Sequence, residues 1–293
     1  IEAAAAAGVV AGRADLLREG ISQVTGEQQE EMRAYLKEHP VRVEFLDGDL
    51  VFDIRITLKK GADTAVVRIA NYHTNIVHIE RNGNVLLDLP VEAGDESGLT
   101  DRTLLSMSDI YDFAQTVDLG DVKELLDRQI ECNMAISQEG LTHSYGANIG
   151  QVIRATSPAD DPIAKAKSAA AAGSDARMGG CEMPVIINSG SGNQGMTASV
   201  PVIVYGREIG ASEEKLYRAL VLSNLITIHQ KTRIGRLSAY CGAVSAGAAA
   251  GAGIAYLDGG GYEEITHTVV NALAIVSGMI CDGAKASCAG KIA

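Results

Sequence analysis

The sequence predicts an α+β chain: a mostly helical domain with a small antiparallel β module near its N-terminus. Three observations carry this. Hydrophobic residues reach 46% while aromatics stay at 4%, with no Trp, so Ala and Gly must fill the core, which suits closely packed helices. Period-two alternation is confined to residues 41–90. Helical spacing of apolar residues dominates everywhere else.

Taken in order, residues 1–39 read as an Ala-rich helix and a second one, "GEQQEEMRAYLKEHP", closed by Pro40. "VRVEFLDGDLVFDIRITL" alternates across Asp47-Gly48, a hairpin signal, and "TAVVRIANYHTNIVHIERNGNVLLDL" adds a second turn at Asn82-Gly83. Within "HTNIVHIE", period two predicts a strand with His73 and Asn75 on one face and His78 and Glu80 on the other. After a polar linker, "SDIYDFAQTV" and "DVKELLDRQIECNMAISQEGL" are helical, the latter starting near Asp121. "SPADDPIAKAKSAAAAGS" predicts a helix with an acidic cap that ends at Gly173. "SEEKLYRALVLSNLITIHQKTR", residues 237–257 and "YEEITHTVVNALAIVSGMI" follow as helices. The domains expected are therefore 1–40, a helical segment belonging to the large helical domain; 41–92, the small antiparallel β module; and 100–293, the all-helical domain itself.

A formal charge of −12 argues against nucleic acid and anionic membrane surfaces as partners. Residues 237–257 are 21 long without a charge, but their Gly, Ala and Ser carry little transfer energy, so a buried helix is expected instead of a span. Five cysteines at this length suit a reducing cytoplasm better than a disulfide framework. The abrupt start at Ile1 and the end in helix-like "CAGKIA" lead us to expect a chain that continues beyond both ends.

Gly190, Gly192 and Gly195 in "INSGSGNQGM" have the G-x-G-x-x-G spacing of a dinucleotide loop, following "PVII", which reads as a short strand. Pro201 falls where the helix of such a unit should run, and no parallel strand follows, so a nucleotide-dependent oxidoreductase is disfavoured. The loop keeps its physics. Glycines allow close backbone approach, Ser189, Ser191, Asn193 and Gln194 add short donors, and a helix starting near Gln194 would point its N-terminus there. That suits a carboxylate, with Arg177 as a counter-charge; a Gly-rich turn between buried helices is the alternative.

Cys281 and Cys288 are seven apart, about 10 Å on a helix, which is long for one tetrahedral zinc unless Gly283 breaks the helix. The spacing suits an iron–sulfur cube, to which Cys241 could add a third thiolate. Small buried cysteines in an Ala-rich core are the competing reading.

Together, "SDARMGG", "INSGSGNQG", "RLSAYCGA" and "GMICDGAKASCAGK" resemble the iron–sulfur L-cysteine desulfidase family, related to the α chain of oxygen-sensitive bacterial L-serine dehydratase. The resemblance covers nearly the whole chain. It implies a [4Fe-4S] cluster held by Cys241, Cys281 and Cys288 with one iron open; Cys132 and Cys181 fall outside the ligand motifs. It implies a lyase that eliminates sulfide from a small amino-acid substrate, L-cysteine, to give pyruvate and ammonia, with L-serine dehydration as the alternative. The substrate carboxylate would be held by Arg177, Ser189, Ser191, Gly192, Asn193 and Gln194. No residue is assigned as the catalytic base, and a Gly-Cys-Thr-Glu-Pro motif of related proteins does not occur here. A homo-oligomer is compatible with this reading, and a non-catalytic helical ligand-binding or assembly protein is the other class considered.

Overall fold

A computed structural model describes residues 1–13, 15, 24–92, 100–235, 240–278, 280, 283 and 285–293. The chain divides into two compact units, Ile1–Thr100 and Asp101–Ala293, and the α+β expectation holds.

The first unit has helices α1 (Glu2–Val10) and α2 (Gly26–Glu38) and strands β1 (Asp53–Lys60), β2 (Asp63–Ala70), β3 (Ile76–Arg81) and β4 (Asn84–Asp88). A capping box starts α2: Thr25 Oγ1 accepts from the Gln28 N–H, and Gln28 Oε1 accepts from the Thr25 N–H. The strands form an antiparallel meander in the order β1-β2-β3-β4. Asn82 and Gly83, both at positive φ, make the predicted second hairpin turn. The first hairpin is not where Asp47-Gly48 placed it. Residues 41–50 form no strand, and the turn lies at Gly61-Ala62, between the paired Lys60 and Asp63. The strand expected over "HTNIVHIE" begins only at Ile76, because Asn71 at φ 65° turns the chain and the Asn75 side chain closes that turn onto the Ala70 carbonyl. His73 and Asn75 thus lie in a turn, while His78 and Glu80 do share a strand face, 3.5 Å apart.

The second unit is helical: α3 (Met107–Thr116), α4 (Leu119–Thr142), α5 (Ile149–Thr156), α6 (Pro162–Met178), α7 (Gly192–Glu208), α8 (Glu213–Ile234), α9 (Gly242–Leu257), α10 (Tyr262–Ile275) and α11 (Ser287–Ile292). Ser106, Asp118, Asp161, Ser191 and Ser212 cap α3, α4, α6, α7 and α8 through their side chains. Asp118, not Asp121, therefore marks the start of α4. The α5 helix was not anticipated; its N-cap is Asn148 in the left-handed region. The uncharged 237–257 stretch becomes α9 from Gly242 onward, and among the described residues no helix is long and apolar enough to cross a membrane.

Ala and Gly decide the packing. Residues 169–176 of α6 are buried all round, with α4, α5, α7 and α11 against that helix. Gly173 therefore does not end α6. It sits in mid-helix where a Cβ would meet Met196 Sδ at 2.9 Å, and the helix continues to Met178. Pro201 does not break α7 either. The helix runs through it, forgoing the Pro N–H bond, because nearly every side chain from Gly192 to Ile203 is buried among neighbours. Gly140 and Gly150 let α4 and α5 approach α6 so closely that a Cβ would lie 2.0 Å from the Ala172 carbonyl oxygen or 2.5 Å from Ala172 Cβ.

These contacts predict opposite signs for two glycine-to-alanine changes. Gly140→Ala should cost about 1–3 kcal/mol by overpacking. Gly247→Ala in α9, whose nearest neighbour would be Thr197 Cγ2 at 3.9 Å, should be neutral or stabilise by up to ~1 kcal/mol through helix propensity. Urea midpoints of the two variants check both.

Candidate functional site

The loop with the glycine fingerprint is built by three separate requirements. Ser189 and Gly190 both have positive φ (47° and 86°), and Asn188 and Ser191 exchange two backbone hydrogen bonds of 3.1 and 3.0 Å across them. This is a two-residue turn of the type I′ kind, and Gly190 serves it. Gly192 lies under the Arg177 guanidinium, where a Cβ would meet Nε at 2.5 Å. Gly195 lets α7 approach the Ile186 carbonyl oxygen, 2.0 Å from where a Cβ would stand. No glycine remains for a dinucleotide turn, and the described residues hold no parallel strand pair. The oxidoreductase reading falls for that reason, and Pro201, which α7 accommodates, is no argument against it.

"PVII" is not a strand. Its backbone is matched by a side chain instead: Asn133 Oδ1 accepts the Ile186 N–H at 2.8 Å, and Asn133 Nδ2 donates to the Ile186 carbonyl at 3.3 Å. Asn133 Nδ2 also donates to Ser199 Oγ of α7 at 3.0 Å. One helical step away, Gln129 exchanges carboxamide bonds of 3.0 and 2.8 Å with Asn224, which accepts from Asn188 Nδ2 at 3.0 Å. The turn is thus moored to α4 and α8. None of these residues was singled out from the sequence. Their signal was there: Gln129, Asn133 and Ser137 repeat at i, i+4 and i+8 on a helix face that is buried.

Ser191 caps α7, its Oγ accepting the Gln194 N–H. The first-turn N–H groups of Gly192 and Asn193 are those a helix leaves without an internal acceptor, at the positive end of its dipole. Arg177, from the last turn of α6, donates from Nη1 to Asn193 Oδ1 at 3.3 Å. Burial pulls the Arg177 guanidinium below its ordinary pKa, and the nearby Cys288 sulfur opposes that shift. Gln194 is buried with its carboxamide against Gly242, where a Cβ would meet Cδ at 2.3 Å, and its Oε1 has no hydrogen-bond partner.

Cys241 is buried at the N-cap of α9, directly before Gly242, and its thiol makes no capping bond. Cys288, half-buried on α11, donates weakly to the Gly283 carbonyl at 3.6 Å. Gly283 has φ 93°, so the stretch before α11 is not helical there, and α11 packs against both α6 and α9. An isolated bridge pairs Tyr240 with Ile280. Cys281 lies outside the described residues. Among the described residues no three His, Cys, Asp or Glu come within range of one metal ion, a statement that does not include Cys281. The donor set fits a thiolate-held group: two cysteines on elements packed together, a half-buried guanidinium beside one, and an orphaned buried carboxamide oxygen next to the other.

The remaining cysteines lie elsewhere. Cys181 neighbours Tyr145, whose hydroxyl is pushed up to about 12 chiefly by donating to Glu139 at 2.8 Å. Cys132 lines a shallow depression of about 740 Å³ with Lys123, Asp127 and Met183, which contains none of the predicted site residues. Asp175, two residues before Arg177, is buried, accepts the Gly150 N–H at 3.0 Å and leaves Oδ1 without a partner. Burial raises its pKa against the backbone donors of Gly150, Ile149 and Ala147.

A family model described as serine dehydratase alpha chain matches residues 18–293. The UPF0597 protein DSY1109 of Desulfitobacterium hafniense is 58% identical over 293 residues, covering all of this chain and 68% of that protein. UPF0597 proteins of Lachnoclostridium phytofermentans and Treponema denticola are 50% and 47% identical, again over the whole chain and over 70% and 69% of their own lengths. No solved structure matches.

Two outcomes check the geometry. Asn133→Ala strands the Ile186 N–H and carbonyl, and should cost about 2–4 kcal/mol and speed amide exchange at Ile186; unchanged exchange there would refute the mooring. Asp175 has a raised folded pKa, so its contribution is fully present below the unfolded value and is lost as pH rises through the folded one. Relative to the natural chain, Asp175→Asn should therefore gain stability as pH rises above the unfolded carboxylate value of about 4, read as the difference in urea midpoints.

Proposed function

The chain belongs to the serine dehydratase alpha chain family, among UPF0597 relatives, and from that premise we propose that it is a β-eliminating lyase acting on L-cysteine. The observation that carries the proposal is the meeting of four features in one place: Arg177, the α7 N-terminus, Gln194 with Cys241, and Cys288.

Elimination removes the α-proton and HS⁻ from the β-carbon of L-cysteine, leaving aminoacrylate, which tautomerises and takes up water to give pyruvate and ammonia. The substrate carboxylate is bound by the N–H groups of Gly192 and Asn193 and by Arg177, with the hydroxyls of Ser189 and Ser191 beside them. Arg177 gains from this anion because burial otherwise leaves its charge under-solvated. Its bond to Asn193 and its seat on Gly192 fix the guanidinium before substrate arrives, which lowers the ordering cost of binding. Gln194 offers a carboxamide that has no internal partner for its oxygen, an acceptor suited to the substrate ammonium. Cys241, Cys281 and Cys288 would hold a [4Fe-4S] cluster, which would supply Lewis acidity toward the departing sulfur. The family description itself favours a second reading, L-serine as the substrate with hydroxide departing in place of sulfide.

Anaerobic reconstitution tests the proposal. Bound iron near four per chain with a brown chromophore is expected, and Cys241→Ser, Cys281→Ser and Cys288→Ser should each lower it. Sulfide release from L-cysteine should exceed pyruvate formation from L-serine; the reverse order supports the second reading. Arg177→Met should keep the iron and raise KM by ~10- to 100-fold. A reconstituted protein that binds no iron, or whose iron is indifferent to all three cysteine changes, overturns the cluster.

A further inference from the structure

The lyase reading leaves the β module without a task, yet its sheet carries an ordered row of charge. Arg55 pairs with Arg68, Arg68 with His78, and His78 with Asp88, so one side chain from each strand stands on the same face in direct register. The row passes from two guanidiniums on β1 and β2 to a carboxylate on β4. Arg68 is clamped by both oxygens of Asp53, at 2.9 and 2.7 Å. His78 Nδ1 is 2.9 Å from Asp88 Oδ1, and its Nε2 is 3.5 Å from Glu80 Oε2. Arg55 faces the like-charged Arg68 and makes no ion pair among the described residues. Asp53 already offsets the Arg68 charge, which leaves the Arg55 guanidinium as the cation on this face that lacks a carboxylate partner among the described residues.

Arg55, Arg68, His78, Glu80 and Asp88 surround one cavity of about 180 Å³ together with Val77 and Leu89. A simple anion drawn to Arg55 would also meet Glu80 and Asp88, and a simple cation would meet the arginines. A molecule with both charges meets complementary groups at each end. We propose that this face of the sheet binds a free α-amino acid with a small side chain. Its carboxylate lies toward Arg55 and Arg68, its ammonium toward Glu80 and Asp88, and its side chain against Val77 and Leu89. The site lies wholly within residues 53–89 and requires neither iron nor Arg177, so it stands apart from the lyase reading.

The test is calorimetric titration of the full chain with L-alanine, which has no β-leaving group, and with propionate and ethylamine, which each keep one of its charges. L-alanine should bind at least about tenfold more tightly than either analogue. The titrations are run in the Arg177→Met background, where the lyase carboxylate site is disabled; there L-alanine should still bind, and Arg55→Met and Asp88→Asn should each weaken that binding about tenfold. Because Arg55 is exposed and makes no ion pair among the described residues, its replacement should not lower the thermal midpoint, so lost binding would not reflect unfolding. The proposal is overturned if, in the Arg177→Met background, propionate or ethylamine binds as well as L-alanine, if L-alanine binding survives both sheet substitutions, or if no L-alanine binding remains. Failure of the lyase reading would show as absent iron and sulfide and would leave this titration unaffected.

Discussion

Asn133 gives both ends of one carboxamide to the backbone of Ile186 and a further bond to Ser199, and the arrangement of the helical unit follows from that attachment. A chain segment that enters a helical core without strand or helix partners exposes N–H and C=O groups that cost about 1–3 kcal/mol each when buried unpaired. Asn133 supplies the missing partner from α4. Gln129 and Ser137, one step to either side, reach Asn224 on α8 and the Ala169 carbonyl on α6. A single polar stripe on α4 thereby fixes the 186–191 segment, α6, α7 and α8 in one register. The orientation of the α7 N-terminus is a consequence of it.

The second constraint is distance. Helices that meet through Ala and Gly approach until backbone touches backbone, and there is no flexible side chain to take up error. This explains why α6 carries Ser174, Asp175 and Arg177 at fixed positions although no large apolar side chain is among its buried residues. It also explains the cost accepted at Pro201: a proline inside a helix costs about 3 kcal/mol, which is small beside the burial that holds α7 on every side. The glycine fingerprint belongs to the same economy of space, with each glycine answering a different neighbour.

Much of this was legible from the sequence, for definite reasons. The helices of the second unit announce themselves through caps such as Asp161 and Ser212 and through apolar spacing, both of which are local. The Asn82-Gly83 turn is local too, since both residues must adopt positive φ. The errors lie where tertiary contacts override local preference. Asp47-Gly48 has the chemistry of a hairpin but no partner strand before it, and Gly173 and Pro201 are helix breakers only when water or empty space surrounds them. In the site, the loop donors and Arg177 could be named because charge and glycine content mark them. Asn133 and Gln129 could not, because a polar residue on a buried helix face reads as a defect until its partner, dozens of residues away, is known.

The same distinction separates what Arg177 and Arg55 can do. Arg177 is half-buried, loses part of its hydration, and is held by Asn193 and against the Gly192 backbone before any ligand arrives. A partly desolvated, pre-set guanidinium binds an anion well because less entropy remains to be lost and less water remains to be displaced. Arg55 stands exposed on a sheet, opposed by Arg68, with carboxylates on the far side of the same face. Its attraction to any one anion is screened by water, so discrimination there must come from matching two charges at once. The first geometry suits holding a substrate still for chemistry, and the second suits reversible sensing of a zwitterion. One chain thus presents two arginine environments whose physical differences, not their residue type, set their uses.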